Sequence, residues 1–563
     1  MTPKAKFERT GVLFLVMFFA GGVISFALFQ KQVLEHDQYA ATSLAQSVSQ
    51  TDIPAQRGRI FAKDRDKTLV NLAVSEWRYN LVITPQLIKD KQKFADLLSA
   101  DYPKMKSNDI FAKADSDKVF VILTKGLTID EADKISKQNY RGVSLVPQLV
   151  RSYSEGDAIA AQVLGFVGAD GEGKYGVEGA RDDILRGKAG SEQQKKDSFG
   201  QLIDVLGGKD STPGQDLVLT IDYNLQYTVE SKLKESIDKY KADSGSIIVM
   251  DPKTGAILAM AGQPTFDPNN FSLVPSDQQS RFLSPAVSNA YEPGSAMKPL
   301  MMAVALDSGK VTPETTNVFG PSVTVLGKVI TNAEGKVYGK ENMAQVLENS
   351  DNVAMTWISS LVGAKTQREY YTKFGFGAKS GVDLVGESAG SLQDEKEWND
   401  LLRSTAAFGQ GVSVSLLQLA TAYSVVGNGG TLVTPHLAEK TLVGDEVTVI
   451  EYKTRGQVIK PETAKQVQLM LENVVLNGHG KRAKVAGVRV GGKTGTAQVP
   501  DPKGGYYSDR TVGTFAGMFP IEDPRFVMAV RLDNPKTVNF AESSAAPTFG
   551  EIAEWMANYY QLR

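Results

Sequence analysis

Three short motifs combine residue types capable of acyl transfer. Ser-x-x-Lys occurs at Ser231/Lys234, Ser236/Lys239 and Ser295/Lys298, Lys-Thr-Gly at Lys253–Gly255 and Lys493–Gly495, and Ser-x-Asn at Ser350-Asp351-Asn352. A serine hydroxyl becomes a competent nucleophile when a neighbouring base takes its proton, and a lysine held neutral can be that base. Context separates the copies. Ser231 and Ser236 lie in the charged stretch SKLKESIDKYK, which reads as the solvated face of a helix. Lys253-Thr254-Gly255 lies between two apolar runs, where Thr-Gly serves turn geometry.

Ser295 stands apart. It follows Tyr-Glu-Pro-Gly, which stops any earlier element, and opens the apolar run SAMKPLMMAVAL, read as a buried helix. Pro299 is tolerated only near a helix start, so Ser295 belongs to the first turn. Residues i and i+3 share a helix face, so Lys298 can meet the Ser295 hydroxyl. A helix start also presents free N–H groups and positive potential, which favour a developing oxyanion. An apolar setting near other cations would lower the proton affinity of Lys298 and leave it able to act as base. A capping serine with a snorkelling lysine is the alternative reading.

Ser350-Asp351-Asn352 falls where one helical pattern ends or another begins. It is either an N-cap or a hydroxyl and an amide placed to relay a proton and grip a substrate carbonyl. Lys493-Thr494-Gly495-Thr496 follows VAGVRVGG, read as a strand. Its glycines permit close backbone approach. Lys493 and the hydroxyls of Thr494 and Thr496 suit a substrate carboxylate, and the Thr496 N–H could join that of Ser295 as an oxyanion hole. The alternative is a Gly-rich edge strand.

Bulk composition narrows the chemistry. The chain has 563 residues, a formal net charge of -2, no cysteine and three histidines. That length implies two or three domains, and the charge suggests no nucleic-acid partner. Without cysteine there is no thiol catalysis, disulfide or Cys-type zinc site. His36, His436 and His479 are widely separated, which argues against a His-based metal site or a Ser-His-Asp triad, and no metal or cofactor is expected. Thr10 to Gln30 carry no charge and Gly11 to Phe29 are almost all apolar. Twenty such residues rise roughly 30 Å as a helix, about one hydrocarbon core. The run is too long for a signal-peptide core, and no small-x-small cleavage site follows it. Lys4, Lys6 and Arg9 precede it against Glu8, which places the N-terminus in the cytoplasm and the remainder outside.

The elements follow from the same pattern. Lys31 to Gln50 reads as a polar juxtamembrane helix, and Ile53 to Val74 as short strands. Residues 85–140 read as mixed α+β with helices near 87–99 and 128–138, and Lys188 to Lys209 as a polar loop. A new domain opens near Gly214 with a strand, then a helix to about Lys241. Gly245–Met260 and Phe515–Pro535 read as hairpins. VLENSDNVAMTWISSLVG and SLLQLATAYSVVGNGG read as buried helices, and EIAEWMANYYQL as an amphipathic closing helix. The fold class is α+β: an antiparallel sheet flanked by helices. The domains are an anchor at 1–30, a non-catalytic domain at 31–213 and a catalytic domain at 214–563.

The ordered set SAMK, SDN and KTGTAQ resembles the penicillin-binding protein and serine β-lactamase superfamily. The segments YEPGSAMKP, DPKTGAILAMAGQPTFDPN, FGQGVSVSLLQLATAYSVVGNGG, GGKTGTAQVP, IPAQRGRIFAKD and AAQVLGFVG resemble class B penicillin-binding proteins. Ala296 and Met297 depart from the commoner residues inside the first motif, as do Ser154 and Val177 in the N-terminal region. The resemblance implies an N-terminal transmembrane helix, an elongated pedestal of the dimerisation type and a transpeptidase domain. It implies that Ser295 attacks the penultimate D-Ala carbonyl of a stem peptide and Lys298 takes its proton. Ser350 would relay a proton to the leaving amine, Asn352 bind the acyl-side amide, and Lys493 supply electrostatic support. Thr494, Gly495 and Thr496 would form the carboxylate-binding strand. The implied ligands are peptidoglycan stem peptides and β-lactams, and the implied partners a polytopic membrane glycosyltransferase and other wall-synthesis or division proteins. Residues 31–215 resemble the class B pedestal rather than a glycosyltransferase, closer to division or sporulation enzymes than to elongation enzymes. A β-lactamase or a non-catalytic scaffold or sensor are the rival expectations.

Overall fold

Asp251, Pro252 and Gly255 turn the chain between two apolar runs, and the hairpin forms as they predict. In the computed structural model, which describes residues 9–39, 48–154, 158–196 and 202–563, Ser244–Met250 (β1) pairs antiparallel with Ile257–Gln263 (β2). Gly491–Pro500 (β3), Tyr506–Phe519 (β4) and Phe526–Asp533 (β5) complete an antiparallel sheet in the order β2-β1-β5-β4-β3. Strand side chains alternate between faces, so Ile247 and Val249 pack with Leu225, Val229 and Leu233 of helix α1 (Tyr223–Tyr240). Ile248 and Met250 join the opposite core. That second core joins strand residues of both sheets to several helices. It contains α2 (Lys298–Asp307), α3 (Met343–Asn349), α4 (Asn352–Val362) and α5 (Leu416–Gly427), the last buried along its entire length. The closing helix α6 (Ala545–Tyr559) covers the α1 face.

A second sheet carries the N-terminal strands. Ile60–Lys63 lies between Asp216–Asp222, its parallel neighbour, and Leu69–Ile83, its antiparallel one. Residues 57–186 therefore form one unit with 214–563. Buried ion pairs tighten the N-terminal part: Arg57 bridges Glu178 and Asp182 at 2.6 Å each, and Arg151 reaches Glu178 at 2.7 Å. The helices found here, Lys91–Asp101 and Ile129–Lys137, match the periodic segments, and a further helix occupies Ser107–Ala114.

The other unit comprises residues up to 56 and 187–213. Arg9–Phe29 is one helix, and Gly11–Leu34 is long and apolar enough to cross a membrane. Lys4, Lys6 and Glu8, on which the orientation partly rests, lie outside the described residues. Two expectations fail in this unit. The helix read over Lys31–Gln50 does not extend that far, because Val48–Ile53, with β-branched Val48, Thr51 and Ile53, is a strand. The loop read over Lys188–Lys209 is a hairpin of Gly190–Lys196 and Leu202–Lys209, with Val48–Ile53 added at its edge. Gly190–Lys196 is almost wholly polar, and the apolar residues of Leu202–Lys209 do not alternate cleanly.

Candidate active site

The Ser295 turn is shaped by its neighbours. Gly294 adopts φ +57, a conformation that favours glycine. Residues Gly294–Met297 form a 3-10 turn that runs directly into α2, where Pro299 falls at a position whose N–H needs no partner. Two contacts fix the turn from behind: Gly294 N–H donates to Gly409 O at 3.2 Å, and Tyr423 Oη donates to Ala296 O at 2.8 Å.

Lys298 is 0 % exposed. Its Nζ donates to Ser350 O at 2.6 Å and Asn352 Oδ1 at 2.7 Å, and lies 3.1 Å from Ser350 Oγ. None of its hydrogen bonds goes to Ser295 Oγ, so the direct contact expected from the i, i+3 spacing is replaced by the Ser350–Asn352 loop, whose three oxygens capture the amine. Burial pushes the Lys298 proton affinity well below the ordinary lysine range and the charge of Lys493 adds to this, while Asp351 and Glu341 oppose it. A neutral amine has two N–H bonds and one lone pair. The carbonyl-type oxygens Ser350 O and Asn352 Oδ1 can only accept, so they occupy the two N–H bonds. The lone pair remains for a hydroxyl proton.

Ser350 closes α3 in the left-handed region at φ 57, and Asp351 caps α4 by accepting from Ala354 N–H at 2.6 Å. The motif is thus both a cap and a functional loop. Asn352 spends one amide N–H on Thr331 O at 2.9 Å and keeps the other.

The Lys-Thr-Gly motif lies within β3, the edge strand of the main sheet. Residues 485–490 do not form the strand read there, because Gly487 at φ +74 turns the chain, and only Gly491 and Gly492 of that segment enter β3. Lys493 is buried, and burial lowers its proton affinity to about 7 against the pull of Glu542. Its Nζ donates to Thr494 O at 3.2 Å. Gly495 explains how β3 reaches the Ser295 turn some 200 residues away in sequence: a Cβ there would lie 2.3 Å from Pro293 O. Thr496 Oγ1 accepts from Ala541 N–H at 3.0 Å, which leaves its hydroxyl proton to donate.

Ser295, Ser350, Asn352, Thr494 and Thr496 line one cleft of about 1360 Å³, with Lys298, Lys493 and Gly495 buried behind its wall. That volume exceeds the roughly 300–1,000 Å³ of ordinary small-molecule sites and has room for an extended peptide. Among the described residues, no cluster of His, Cys, Asp and Glu could hold a metal ion. Ser231 and Ser236 lie in α1, away from the cleft, but Ser236 is buried against Thr548 at 2.8 Å rather than solvated. Lys253-Thr254-Gly255 is the predicted turn, with Asp251 Oδ1 accepting from Lys253 N–H at 2.8 Å.

Sequence reasoning missed three residues that hold the site. Asn332 accepts from Asn352 N–H at 2.7 Å and donates to Asp351 Oδ2 at 2.9 Å. Tyr423 supports Ala296 as described above. Glu292 accepts from Gly411 N–H at 2.8 Å and from Tyr506 Oη at 3.0 Å. Of these only Glu292, beside the Pro-Gly that precedes Ser295, carried a local signal.

Comparison with known proteins matches two domains in the chain. Residues 245–554 match the penicillin binding protein transpeptidase domain, and residues 52–219 match the penicillin-binding protein dimerisation domain. Stage V sporulation protein D of Bacillus subtilis is 33 % identical over 572 residues, covering 97 % of this chain and 85 % of that protein. Peptidoglycan D,D-transpeptidase FtsI of Escherichia coli is 31 % identical over 436 residues, covering 77 % of this chain and 71 % of that protein. The crystal structure of penicillin binding protein 3 from Mycobacterium tuberculosis complexed with aztreonam superposes with a TM-score of 0.70 at 27 % identity, covering 91 % of this chain and 97 % of that one.

Proposed function

The chain belongs to the class B penicillin-binding proteins, and from that premise we propose that it is a peptidoglycan D,D-transpeptidase acting through a Ser295 acyl-enzyme. The observation that carries this reading is the buried Lys298, held by the Ser350–Asn352 loop at 2.6–2.7 Å with its proton affinity lowered, behind a cleft that Ser295 lines.

Ser295 Oγ attacks the penultimate D-Ala carbonyl of a donor stem peptide and its proton passes to the Lys298 lone pair. The backbone N–H groups of Ser295 and Thr496 hold the oxyanion. Ser350, hydrogen-bonded to Lys298, returns a proton to the departing D-Ala amine. The spare Asn352 amide N–H takes the acyl-side carbonyl. The Thr494 and Thr496 hydroxyls hold the terminal carboxylate on the strand that Gly495 keeps close, and Lys493 supplies electrostatic support. An acceptor amine from a second stem peptide then resolves the ester. A β-lactam mimics the donor and leaves an acyl-enzyme that hydrolyses slowly.

Residues 1–30 anchor the chain with the N-terminus cytoplasmic, 31–213 serve as a pedestal and 214–563 carry out catalysis outside the membrane. A class B chain supplies no glycan polymerisation of its own, which assigns that step to a separate membrane glycosyltransferase within a division or sporulation assembly. The test is labelling with a fluorescent penicillin. The wild-type chain should form a stable adduct and Ser295→Ala none, whereas labelling that survives in Ser295→Ala, or rapid repeated turnover of penicillin, would refute the assignment.

A further inference from the structure

Beside the Ser350–Asn352 loop, two carboxyl groups that do not line the cleft are buried together. Glu341 lies in the strand Gly339–Asn342 and is 2 % exposed. Its Oε1 accepts from Asn349 Nδ2 at 2.8 Å, while its buried Oε2 receives no hydrogen bond. The group in reach is the carboxyl of Asp351. Asp351 is fully buried, and both its oxygens already accept, from Ala354 N–H at 2.6 Å and Asn332 Nδ2 at 2.9 Å.

If both groups were ionised, two negative charges would face each other in the interior and Glu341 Oε2 would remain unsatisfied, a costly arrangement. A proton on Glu341 removes both faults at once. The unpartnered oxygen becomes a donor, and Asp351 gains a third hydrogen bond without a competing charge. We propose that Glu341 is a positioning residue that latches the Ser350-Asp351-Asn352 loop by donating a carboxylic proton to Asp351, and that loss of this proton releases the loop. The latch matters because Asp351 stands between the residues whose Ser350 O and Asn352 Oδ1 hold Lys298. Ser350 itself sits at φ 57, a conformation that non-glycine residues keep only when their surroundings enforce it.

The groups facing Glu341 act as follows. Burial raises its proton affinity most, Asn349 opposes this, Asp351 and then Glu348 raise it further, and the result is about 7. Lys298 and Tyr338 also feel its charge. A carboxyl whose folded value lies above its unfolded one stabilises the fold fully at low pH, and the benefit is lost as pH rises through the folded value. The latch is therefore closed below neutral pH and opens above it.

The inference rests on the transpeptidase reading. It is tested with the full chain by measuring second-order acylation by a fluorescent penicillin from about pH 5.5 to 9, each chain scaled to its own rate near pH 6.5. By about pH 8.5 the wild type should fall roughly five-fold or more further than Glu341→Gln, which keeps a donor, has no proton to lose and shares the titration of Lys493 at about 7. A wild-type rate that holds through pH 8.5 overturns the proposal without recourse to any variant. Equal declines in the two chains overturn it as well, since they reduce Glu341 to packing. Absence of acylation at every pH in both chains would instead defeat the transpeptidase reading, and the latch with it.

Discussion

Gly495 offers a way to perturb the site without removing any group that does chemistry. A Cβ added there would lie 2.3 Å from Pro293 O, 3.0 Å from Ala296 N and 3.1 Å from Ala296 Cβ. The backbone of Gly495 is not left-handed, so alanine fits its dihedrals and the conflict is purely one of space. Strand β3 cannot slide away freely, because its pairing with β4 runs from Gly491 to Gln498. Restoring an ordinary contact of 3.4 Å with Pro293 O thus requires the Ser295 turn to retreat by about 1.1 Å. The proposed oxyanion donors, Ser295 N–H and Thr496 N–H, lie on opposite sides of that seam. Loss of one such donor slows acyl transfer by about 10²–10³-fold, equivalent to roughly 2.7–4 kcal/mol. Overpacking should also lower stability by about 1–3 kcal/mol. In Gly495→Ala, acylation by a fluorescent penicillin should therefore slow by roughly 10²-fold, while thermal unfolding stays cooperative at a moderately lower midpoint. Acylation within about three-fold of wild type, in a chain shown to be folded, would refute the claim that the close approach of β3 builds the oxyanion site.

Three further outcomes follow from the same contacts. Lys298→Met should reduce acylation by about 10²–10⁴-fold. Because the folded lysine has a depressed proton affinity, its stability contribution is lost as pH falls from the ordinary lysine range through the folded value, so the melting-point advantage of the Met variant should widen towards acid, and a constant offset across pH would count against a neutral Lys298. Arg57→Met should destabilise the chain by about 1–3 kcal/mol in denaturant titration, since it leaves one oxygen of the buried Glu178 without its guanidinium partner, and a loss below about 1 kcal/mol would show that Arg151 alone satisfies that carboxylate. Tyr423→Phe removes the bond to Ala296 O and should lower stability by about 1 kcal/mol with several-fold slower acylation, whereas unchanged rates would show that the turn needs no support from α5.

Elements that combined two signals were legible in the sequence. The β1–β2 hairpin had a turn at Asp251–Gly255 and apolar runs on both sides. The Ser295 turn had Pro-Gly before it and Pro299 after it. Elements with one signal were misread. VAGVRV alternates like a strand, but Gly487 turns it. Ser236 sits in a charged segment, yet it falls at helical spacing after Leu225, Val229 and Leu233, on the stripe that α1 buries. The hairpin at 190–209 offers no clean period-2 pattern, since one strand is polar and the other groups its apolar residues as Leu202-Ile203 and Val205-Leu206. At the site, the motifs were readable because each packs several reactive types into three or four residues. Their supports were not: Asn332, Glu341 and Tyr423 are single residues whose importance depends on what the fold places against them.

The same distinction bears on how the base is prepared. Lys298 could be left uncharged by burial alone, but burial would not aim it. The oxygens that aim it, Ser350 O and Asn352 Oδ1, belong to a loop with an acidic centre at Asp351, whose charge pulls a proton back onto the lysine. Placement and deprotonation therefore oppose each other at Lys298. The second buried lysine offsets the conflict in one direction, since the charge of Lys493 lowers the proton affinity of Lys298. A protonated Glu341 offsets it in the other, since it satisfies Asp351 without adding a negative charge. Three remote segments are needed because no single one can both hold a lysine and keep it uncharged.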